Sequence, residues 1–514
     1  LKKFGAYKLT LSGSVQDLGA VEVYGGELDL TGTGGHSLGT NSVVVGAWSD
    51  TSATTLRLAG AALSTSDPGY NRAGPQLAIG SSANTRSVLH VGADAVANGR
   101  LIVGNSAGSA GAVYQTGGSV TNTGGSANDA ALGVSGSGYY RLDGGIFAHK
   151  GYTQFGRLSG SAGFFEQRGG SVVINAGTAP ADGVVGDYYN GTFTTRKGIG
   201  VFLLSGGTFN LNNHTLQLGE WVSAGDYNDG YGTLTLENDA QAETAQIVLA
   251  NRNGNPQAYV NLNGGTLTAP YFQKGGDNTA GNTAQAAISF NGGRLRVPSA
   301  GSAFSSLVRT GANNTPALLN IYPGGAVIET LDDGKISLDL PLRAPANFGV
   351  TNVSLTAAGA GYIAPPVVTF SGGGGTGATA VAEINLASGQ LTGIRVTSPG
   401  VGYTNTPSVV LRGGGFTAAA TATATLGTLA SGGLTKLGPG TLALNAANTY
   451  SGPTVVSNGT LRLGAGGLTL SALTPITIAN GTLDLGGASF TNVNPVILEN
   501  GRLINGFVTA RSIT

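Results

Sequence analysis

The stretch Tyr140-Arg141-Leu142-Asp143-Gly144-Gly145-Ile146-Phe147 decides the fold, because a Gly-Gly pair separates two runs of alternating apolar residues. Side chains alternate between the two faces of a β-strand, so this pattern predicts two strands, each with one buried face, joined by a turn. The frame, apolar-x-apolar-x-Gly-Gly-x-apolar-x-apolar, recurs along the first two thirds of the chain. Its other copies are centred on Gly25-Gly26, Gly117-Gly118, Gly169-Gly170, Gly206-Gly207, Gly264-Gly265 and Gly292-Gly293.

A third short strand recurs between these frames, as an apolar-x-apolar run that ends in a small residue. Examples are Val43-Val44-Val45-Gly46, Leu77-Ala78-Ile79-Gly80, Leu101-Ile102-Val103-Gly104, Leu216-Gln217-Leu218-Gly219 and Ile247-Val248-Leu249-Ala250. Between residues 1 and 340 we count about eleven three-strand units of about 31 residues each. One such unit cannot bury its apolar face alone, whereas stacked units share a continuous core. The sequence therefore predicts an all-β parallel β-helix or solenoid of three-strand coils; a propeller needs four strands in blades of about 40–50 residues.

The alternation also predicts which side chains point inward. Two stacked apolar columns are expected, one of Val23, Leu142, Leu204, Leu262 and Phe290 and the other of Leu28, Phe147, Phe209, Leu267 and Leu295. Gln115 and Gln167 fall in the column of Leu142, and an unpaired buried amide costs about 1–3 kcal/mol. We therefore expect both glutamines to hydrogen-bond to backbone groups.

The composition excludes several classes of protein. The 514 residues include 89 Gly, 26 Lys+Arg, 26 Asp+Glu, and neither Cys nor Met. Without Cys there is no disulfide framework, thiolate metal site or Cys nucleophile, and we expect no cofactor. The few charged residues balance each other, so the sequence shows no basic patch that would bind nucleic acid. No apolar run approaches the roughly 20 residues that a membrane-spanning helix needs. Since the chain begins at Leu1 with no signal peptide, we expect a mature or excised part of a longer precursor.

Residues 350–428 interrupt the solenoid pattern with a duplication. Gly359-Ala360-Gly361-Tyr362 recurs 41 residues later as Gly400-Val401-Gly402-Tyr403, and Ser371-Gly372-Gly373-Gly374 is echoed by Arg412-Gly413-Gly414-Gly415. We expect an inserted two-copy β module whose copies occupy equivalent places. It should project from the rod axis, so that its deletion leaves the solenoid folded. The predicted domains are a solenoid over 1–349, the module over 350–428 and a C-terminal solenoid over 429–514.

The C-terminal solenoid carries a longer motif. It contains Leu434-Thr435-Lys436, Gly438-Pro439-Gly440-Thr441-Leu442, Asn448-Thr449-Tyr450-Ser451-Gly452 and Gly459-Thr460-Leu461. This stretch resembles the autotransporter-associated β-strand repeat, also called the passenger-associated transport repeat. A weaker copy, Leu1-Lys2-Lys3-Phe4-Gly5 with Leu9-Thr10-Leu11, aligns with it at a shift of 433. The resemblance implies a right-handed β-solenoid that is secreted or exposed at the bacterial cell surface, and a motif without catalytic residues.

One loop offers a candidate glycan-contact patch. Its aromatic residues could stack on sugars, and its Asp residues lie between them, although Asp-Gly pairs are typical of turns and the aromatics could equally form a lid over the solenoid edge. The four His residues share no metal-ligand spacing, and His90 is expected to face solvent. The residues of the patch are Trp221, Asp226, Tyr227, Asp229 and Tyr231.

The two ends of the chain are candidate assembly surfaces. Both read as strands with few charges, and an uncapped solenoid can stack on another copy of itself head to tail. The residues concerned are Leu1, Phe4, Leu9 and Leu11, which would dock near residues 496–510, including Ile504, Phe507 and Val508, of a neighbour. The function expected is therefore a non-enzymatic structural protein of the cell exterior, a rod that forms a filament or stalk. The alternatives are a segment cut from one larger rod and a carbohydrate-binding or carbohydrate-cleaving β-helix.

Overall fold

The computed structural model describes most of the chain, and the statements below concern those residues alone. They are residues 1–13, 19–32, 35–37, 42–47, 53–64, 76–122, 130–149, 153–174, 191–195, 198–211, 214–220, 230–251, 255–275, 284–298, 303–311, 315–464, 475–492 and 494–514.

The fold is an all-β solenoid built from four long parallel sheets, with one barrel at its side. Sheet 1 contains Lys2–Lys3, Val21–Val23, Val43–Val45, Gln76–Ile79, Arg100–Val103, Ala130–Leu132, Thr153–Phe155, Gly191–Thr195, Thr215–Glu220, Gln246–Asn251, Phe272–Lys274 and Val308–Thr310. Sheet 2 contains Lys8–Ser12, Glu27–Thr31, Ala53–Ala59, Arg86–Val91, Ala110–Gln115, Ser137–Leu142, Ala162–Gln167, Ile199–Leu204, Tyr231–Leu236, Gln257–Leu262, Gln285–Phe290, Leu318–Ile321 and Leu342–Arg343.

Two further sheets complete the rod. Sheet 3 contains Gly35–Ser37, Ala62–Ser64, Val96–Asn98, Ser119–Asn122, Ile146–His149, Ser171–Ile174, Thr208–Asn210, Gln241–Glu243, Thr266–Thr268, Arg294–Val297, Ala326–Thr330, Leu434–Leu437, Thr454–Val456, Ile476–Ala479 and Val496–Glu499. Sheet 4 contains Ser305–Ser306, Lys335–Leu338, Thr441–Leu444, Thr460–Leu463, Thr482–Asn492 and Arg502–Ala510.

The inward columns follow the predicted alternation, apart from one register error. Leu142 stacks through Gln167, Leu204, Leu236 and Leu262 to Phe290 along sheet 2. The second column runs along sheet 3 through Phe147, Val172, Phe209, Ala242, Leu267 and Leu295. Placing Val23 and Leu28 in these two columns is wrong, because the Gly25-Gly26 turn joins sheet 1 to sheet 2, whereas Gly144-Gly145 joins sheet 2 to sheet 3. Both side chains are nevertheless fully buried.

The prediction of three strands per coil is correct for most of the rod but wrong for its last part. After residue 433 each coil contributes one strand to sheet 3 and one to sheet 4. These shorter coils continue the same stack, since Ala326 of sheet 3 pairs with Leu434 and Lys335 of sheet 4 pairs with Thr441. The chain thus leaves the rod after Arg343 and returns to it at Leu434.

The segment between Arg343 and Leu434 forms a closed six-stranded antiparallel barrel. Its strands, in order around the barrel, are Phe348–Ala357, Gln390–Val401, Thr376–Asn385, Val367–Ser371, Ser408–Arg412 and Thr421–Thr428. Exchanging each strand with its counterpart in the other copy reproduces the same order, so the barrel has two-fold pseudosymmetry. Each Tyr ring is buried beside the glycine triplet of the other copy, Tyr362 beside Gly414 and Tyr403 beside Gly373. The two Tyr residues therefore occupy equivalent places, as the duplication predicts.

The barrel lies against the rod, so the expectation that it projects from the rod axis is wrong. Ile363, Ala364, Val367 and Val381 of the barrel pack on the outer face of sheet 2. Strands such as Ala110–Gln115 and Ile199–Leu204 are in consequence buried on both faces. This burial also corrects the prediction that these strands have a single buried face.

The two buried glutamines differ in one hydrogen bond. The Gln115 amide donates to the Ile146 carbonyl (3.0 Å), and the Gln167 amide donates to the Thr208 carbonyl (3.0 Å), which confirms the predicted backbone contacts. Tyr140 donates its hydroxyl to Gln115 Oε1. In the coil after Gln167 the place of Tyr140 is taken by Phe202, and Gln167 Oε1 has no hydrogen-bond partner in the described part of the chain.

This difference predicts opposite effects for two matched substitutions. Tyr140→Phe is expected to destabilise the fold by about 1–3 kcal/mol, because it orphans Gln115 Oε1. Phe202→Tyr is expected to stabilise it by about 1 kcal/mol, because the new hydroxyl reaches Gln167 Oε1. Chemical denaturation of both variants measures the two changes in the free energy of unfolding. Changes of the same sign would contradict the assigned roles of these hydroxyls.

Candidate functional site

The seam between the barrel and sheet 2 brings together residues from distant parts of the sequence. Its apolar part on the rod side includes Tyr114, Tyr139, Phe164, Val201 and Tyr259, all 6 % exposed or less. The contact with the barrel extends over nine consecutive strands of sheet 2, from Arg86–Val91 to Leu318–Ile321. At the last strand the contact is made by Tyr322, the residue that follows it. At about 4.8 Å per coil this contact spans about 38 Å.

Hydrogen bonds fix the barrel at both ends of the seam and between them. Near one end the Tyr114 hydroxyl donates to the Ile363 carbonyl (2.6 Å), and at the other the Tyr322 hydroxyl donates to the Gly400 carbonyl (3.0 Å). Ile363 directly follows the first Gly-Ala-Gly-Tyr motif and Gly400 opens its second copy, so both copies of the duplicated motif contact the rod. Further contacts join Asn261 Nδ2 to Thr379 Oγ1 (2.8 Å), Asn263 Nδ2 to the Thr397 carbonyl (2.7 Å) and Ser289 Oγ to Ser398 Oγ (3.3 Å).

A cleft of about 430 Å³ along this seam is rich in charged groups that neutralise each other. Arg395 of the barrel makes a bidentate ion pair with Glu237 of the rod (2.8 and 2.9 Å). Glu166, which is 5 % exposed, accepts hydrogen bonds from Tyr139 and Arg168. Both carboxylates therefore already have cationic or hydroxyl partners, and the Arg395–Glu237 pair joins the barrel to the rod.

A second cleft of about 650 Å³ lies where the barrel overhangs the turns before sheet 2. Its charged groups are Arg86 and Arg412, and its aromatic residue is Phe416, which is 42 % exposed. Arg86 donates to the Gly415 carbonyl (2.6 Å) and to the Gly361 carbonyl, so its guanidinium belongs to the seam. Sequence reasoning missed both clefts, because their walls come from distant segments: 158 positions separate Glu237 from Arg395, and 329 separate Arg86 from Gly415.

The predicted glycan-contact patch is largely outside the described residues. Trp221, Asp226, Tyr227 and Asp229 all lie outside that part of the chain, and their arrangement stays a prediction. Tyr231 is described: it is 8 % exposed, and its ring packs edge-on against Tyr259 at a centroid distance of 5.8 Å. The Tyr231 ring therefore contributes to the buried seam and does not present a surface for stacking.

The predicted assembly residues are partly exposed. Phe4 is 62 % and Phe507 79 % exposed, whereas Leu1, Leu9, Leu11, Ile504 and Val508 are half-buried. Within the described chain, the strands Lys8–Ser12 and Arg502–Ala510 each pair along one edge. The strand Val496–Glu499 is already covered, because Val496 and Leu498 hydrogen-bond to residues 512–514. Residues 496–499 are thus not available for docking, which narrows the predicted surface to 502–510.

The alternation of the strand predicts the face on which His90 lies but not its burial. It lies on the outer face of sheet 2, as predicted, but it is half-buried and stacks on Tyr114 at 5.5 Å. Burial lowers the pKa of His90 to about 4, and the neighbouring Arg57 acts in the same direction. Within the described ranges no three His, Asp or Glu side chains form a group that could hold a metal ion, and no helix is long and apolar enough to cross a bilayer.

The motif residues of the C-terminal coils all have structural roles. Lys436 is fully buried, and its ammonium donates to the carbonyls of Leu437 (2.7 Å), Gly438 (2.8 Å) and Asn458 (3.2 Å). The buried Asn448 side chain accepts the Leu342 N–H (2.9 Å), and the buried Tyr450 hydroxyl bonds Thr454 Oγ1 (2.7 Å). Lys436 and Asn448 thus bond backbone groups of neighbouring coils, and Tyr450 bonds a hydroxyl four residues away, which stabilises the stack.

The first coil repeats the lysine arrangement. Lys3 is 6 % exposed and donates to the carbonyls of Phe4 (2.8 Å), Gly5 (2.8 Å) and Gly25 (2.9 Å). Each acceptor lies 433 positions before its counterpart around Lys436, the shift found in the sequence. The opening residues therefore form the same kind of coil, although they lack the Asn-Thr-Tyr element.

The burial of Lys436 predicts that its contribution to the stability of the fold increases at alkaline pH. Burial lowers the pKa of Lys436 to about 8, while the charge of Glu329 opposes the shift. In the unfolded chain this lysine keeps its proton up to about pH 10.5, so between pH 8 and 10 the unfolded state binds more protons at this site and the contribution of Lys436 to stability rises with pH. We expect a gain of about 2.5 kcal/mol from Lys436 between pH 7 and 10.

Lys436→Met tests this prediction by thermal unfolding across that pH range. Lys274, with a pKa also lowered to about 8, and the buried tyrosines, whose pKa values are raised, titrate in both chains. The difference in stability between the wild-type chain and the variant should therefore grow by about 2.5 kcal/mol over this range. A slope unchanged by Lys436→Met would contradict the lowered pKa. Lys335→Met, at an exposed lysine, is the matched control and should leave the slope intact.

Comparison with known proteins supports the repeat found in the C-terminal sequence. No curated protein and no solved structure matches the chain. The family model of the passenger-associated-transport-repeat matches residues 434–463, the stretch that contains the buried Lys436, Asn448 and Tyr450. The chain therefore contains a passenger-associated transport repeat, a repeat of autotransporter passenger-type proteins.

Proposed function

We propose that the chain is a structural part of an autotransporter passenger, a β-solenoid rod that is secreted or displayed on the bacterial surface. The passenger-associated transport repeat supports the exported setting, and its family is not an enzyme family. The observation that carries the proposal is the use of its motif side chains. Lys436 and Asn448 are buried and hydrogen-bond to neighbouring coils, and Tyr450 is buried in the core, so all three stabilise the stack and are inaccessible to a substrate.

Surface display is tested by labelling intact cells of the native bacterium with antibodies raised against the barrel. The barrel is a suitable epitope because it lies on the flank of the rod and exposes side chains such as Phe348 (47 % exposed). We expect labelling of intact cells or recovery of the chain from the medium. Labelling that appears only after the cells are lysed would contradict the proposal.

The rod is further proposed to associate head to tail into a filament or stalk. The first and last coils support this, because each contains a strand with one paired edge and exposed aromatic side chains, Phe4 and Phe507. Such a contact joins two different surfaces and does not close, so it extends into a fibre. In the alternative, a longer rod, the same edges are covalently continuous with further coils.

Light scattering after size exclusion, at micromolar concentration, separates these outcomes for the purified chain. We expect masses above 50.9 kDa, a return to monomer in Phe507→Asp, and no change in Phe348→Asp, an exposed Phe of the barrel. A dispersed wild-type monomer with both end coils protected from hydrogen exchange would overturn the filament, while leaving the passenger assignment to the cell-labelling experiment.

A further inference from the structure

The second cleft has a floor without large side chains. It crosses the turns of four successive coils, which contribute Asn84, Gly108, Gly136 and Gly160, and it is flanked by small residues such as Ser109. At about 4.8 Å per coil, the floor is about 14 Å long. Its volume of about 650 Å³ lies within the range of ligand sites, roughly 300–1,000 Å³.

The charged side chains that line this cleft, among the described residues, are all cationic. No Asp or Glu occurs among the described residues that line it, whereas Arg86 and Arg412 do. The Arg412 side chain is exposed and forms no hydrogen bond or ion pair with the described residues. A guanidinium presents a planar pair of N–H donors that matches a carboxylate, so Arg412 is available to an anionic group.

An aromatic ring faces the same space. Phe416 lies four residues after Arg412, is 42 % exposed, and is supported by the Tyr362 ring at 5.3 Å. The supporting contact limits its rotation, and the exposed part of the ring offers a flat apolar surface. Together the ring and the guanidinium suit a ligand that combines an apolar face with a carboxylate.

The duplication supplies an internal comparison. The positions that correspond to Arg412 and Phe416 in the first copy, 41 residues earlier, are Ser371 and Gly375. Both copies form the same strands and the same glycine triplet, so the barrel fold needs neither the Arg nor the Phe. The copies thus diverge at the two side chains that overhang the cleft, which separates these residues from the requirements of folding.

We propose that this cleft binds an acidic glycan, with a uronate carboxylate on Arg412, a sugar ring on Phe416 and the chain lying along the Gly, Ser and Asn floor. The small side chains of the floor let a polymer approach the backbone closely, and its direction along the rod lets successive sugars follow successive coils. Tyr231, the described residue of the predicted glycan-contact patch, does not line this cleft.

Polygalacturonate and its fully methyl-esterified form are the probes, because they share one backbone and differ in charge. Isothermal titration calorimetry with the full chain is expected to show binding of polygalacturonate that weakens with salt, and at least tenfold weaker binding of the ester. Arg412→Ser, which installs the residue of the other copy, and Phe416→Leu, which keeps bulk without the aromatic face, should each weaken binding at least tenfold.

Arg343→Ser and Phe348→Leu are the matched controls, since both residues are exposed and outside the cleft. Both should bind as the wild-type chain does, and equal thermal midpoints of all four variants exclude unfolding as the cause. The proposal is overturned if polygalacturonate does not bind, or if it binds equally to Arg412→Ser and Phe416→Leu. Tighter binding of poly-glutamate with the same dependence on both residues would also overturn it, in favour of an acidic protein ligand.

Discussion

Removing the barrel, residues 348–428, is expected to leave a rod that self-associates through the face it has lost. Phe348 and Thr428 pair across the barrel, so a short Gly-Ser linker can join Asn347 to Leu429 without straining the rod. The deletion exposes large side chains of sheet 2 that are now buried. They are Tyr114, Tyr139, Phe164, Val201, Leu203, Tyr231 and Tyr259.

The expected effect is large because burial of each such side chain contributes about 1.5–3 kcal/mol. A contiguous apolar patch of this size on a soluble protein favours association. We expect high-mass species in light scattering, binding of a hydrophobic dye and a lower thermal midpoint than that of the whole chain.

The matched control deletes the barrel and also makes Tyr139→Thr, Phe164→Thr, Val201→Thr and Leu203→Lys. These substitutions put polar side chains on the outer face and leave the inward column intact. Both deletion variants also carry Phe507→Asp, which removes the proposed head-to-tail association, so this control should be monodisperse. A simple deletion that is itself monodisperse, with an unchanged thermal midpoint, would show that the seam contributes nothing to the rod.

The sequence predicted the inner core well because the core depends on local alternation. Each inward residue is specified by its own strand, and stacking identical coils repeats the specification, as for Leu142, Leu204 and Leu262. The register error at Val23 arose where the same Gly-Gly frame serves a different corner. The motif alone does not state which two sheets its turn connects.

The position of the barrel was not predictable from its own sequence. A duplication specifies that two copies match, but it says nothing about the surface on which they lie. The signal was present in the rod, as adjacent apolar pairs such as Tyr139-Tyr140 and Phe164-Phe165, in which both faces of the strand are apolar. A strand of that composition needs a cover on both sides, so these pairs indicate the covered face of sheet 2.

The candidate clefts escaped prediction for a related reason. Arg86 and Gly415 touch each other although 329 positions separate them, and no local pattern records such a contact. Aligning the two copies of the duplication already shows that Arg412 and Phe416 replace Ser371 and Gly375. It became informative only once the structure showed that the second copy faces a cleft.

The close stacking of coils predicts a severe cost for a single methyl group at the Gly-Gly corners. Gly207 has φ 74°, and a Cβ at this position would lie less than 3 Å from the carbonyl oxygen of Gly170 in the preceding coil. Gly145 and Gly265 are similarly placed against the coils before them. Alanine at Gly207 therefore meets two penalties, an unfavourable backbone conformation and a clash with backbone that cannot rotate away.

Gly160→Ala separates the two penalties. Gly160 has a similar φ of 81°, but a Cβ there would have no atom within 4 Å. We expect Gly160→Ala to cost about 1–2 kcal/mol from the backbone alone, and Gly207→Ala about 2–5 kcal/mol, since overpacking adds to it. Chemical denaturation with circular dichroism measures both. Equal costs would mean that adjacent coils can move apart at the corner, so that backbone conformation alone explains why glycine occupies it.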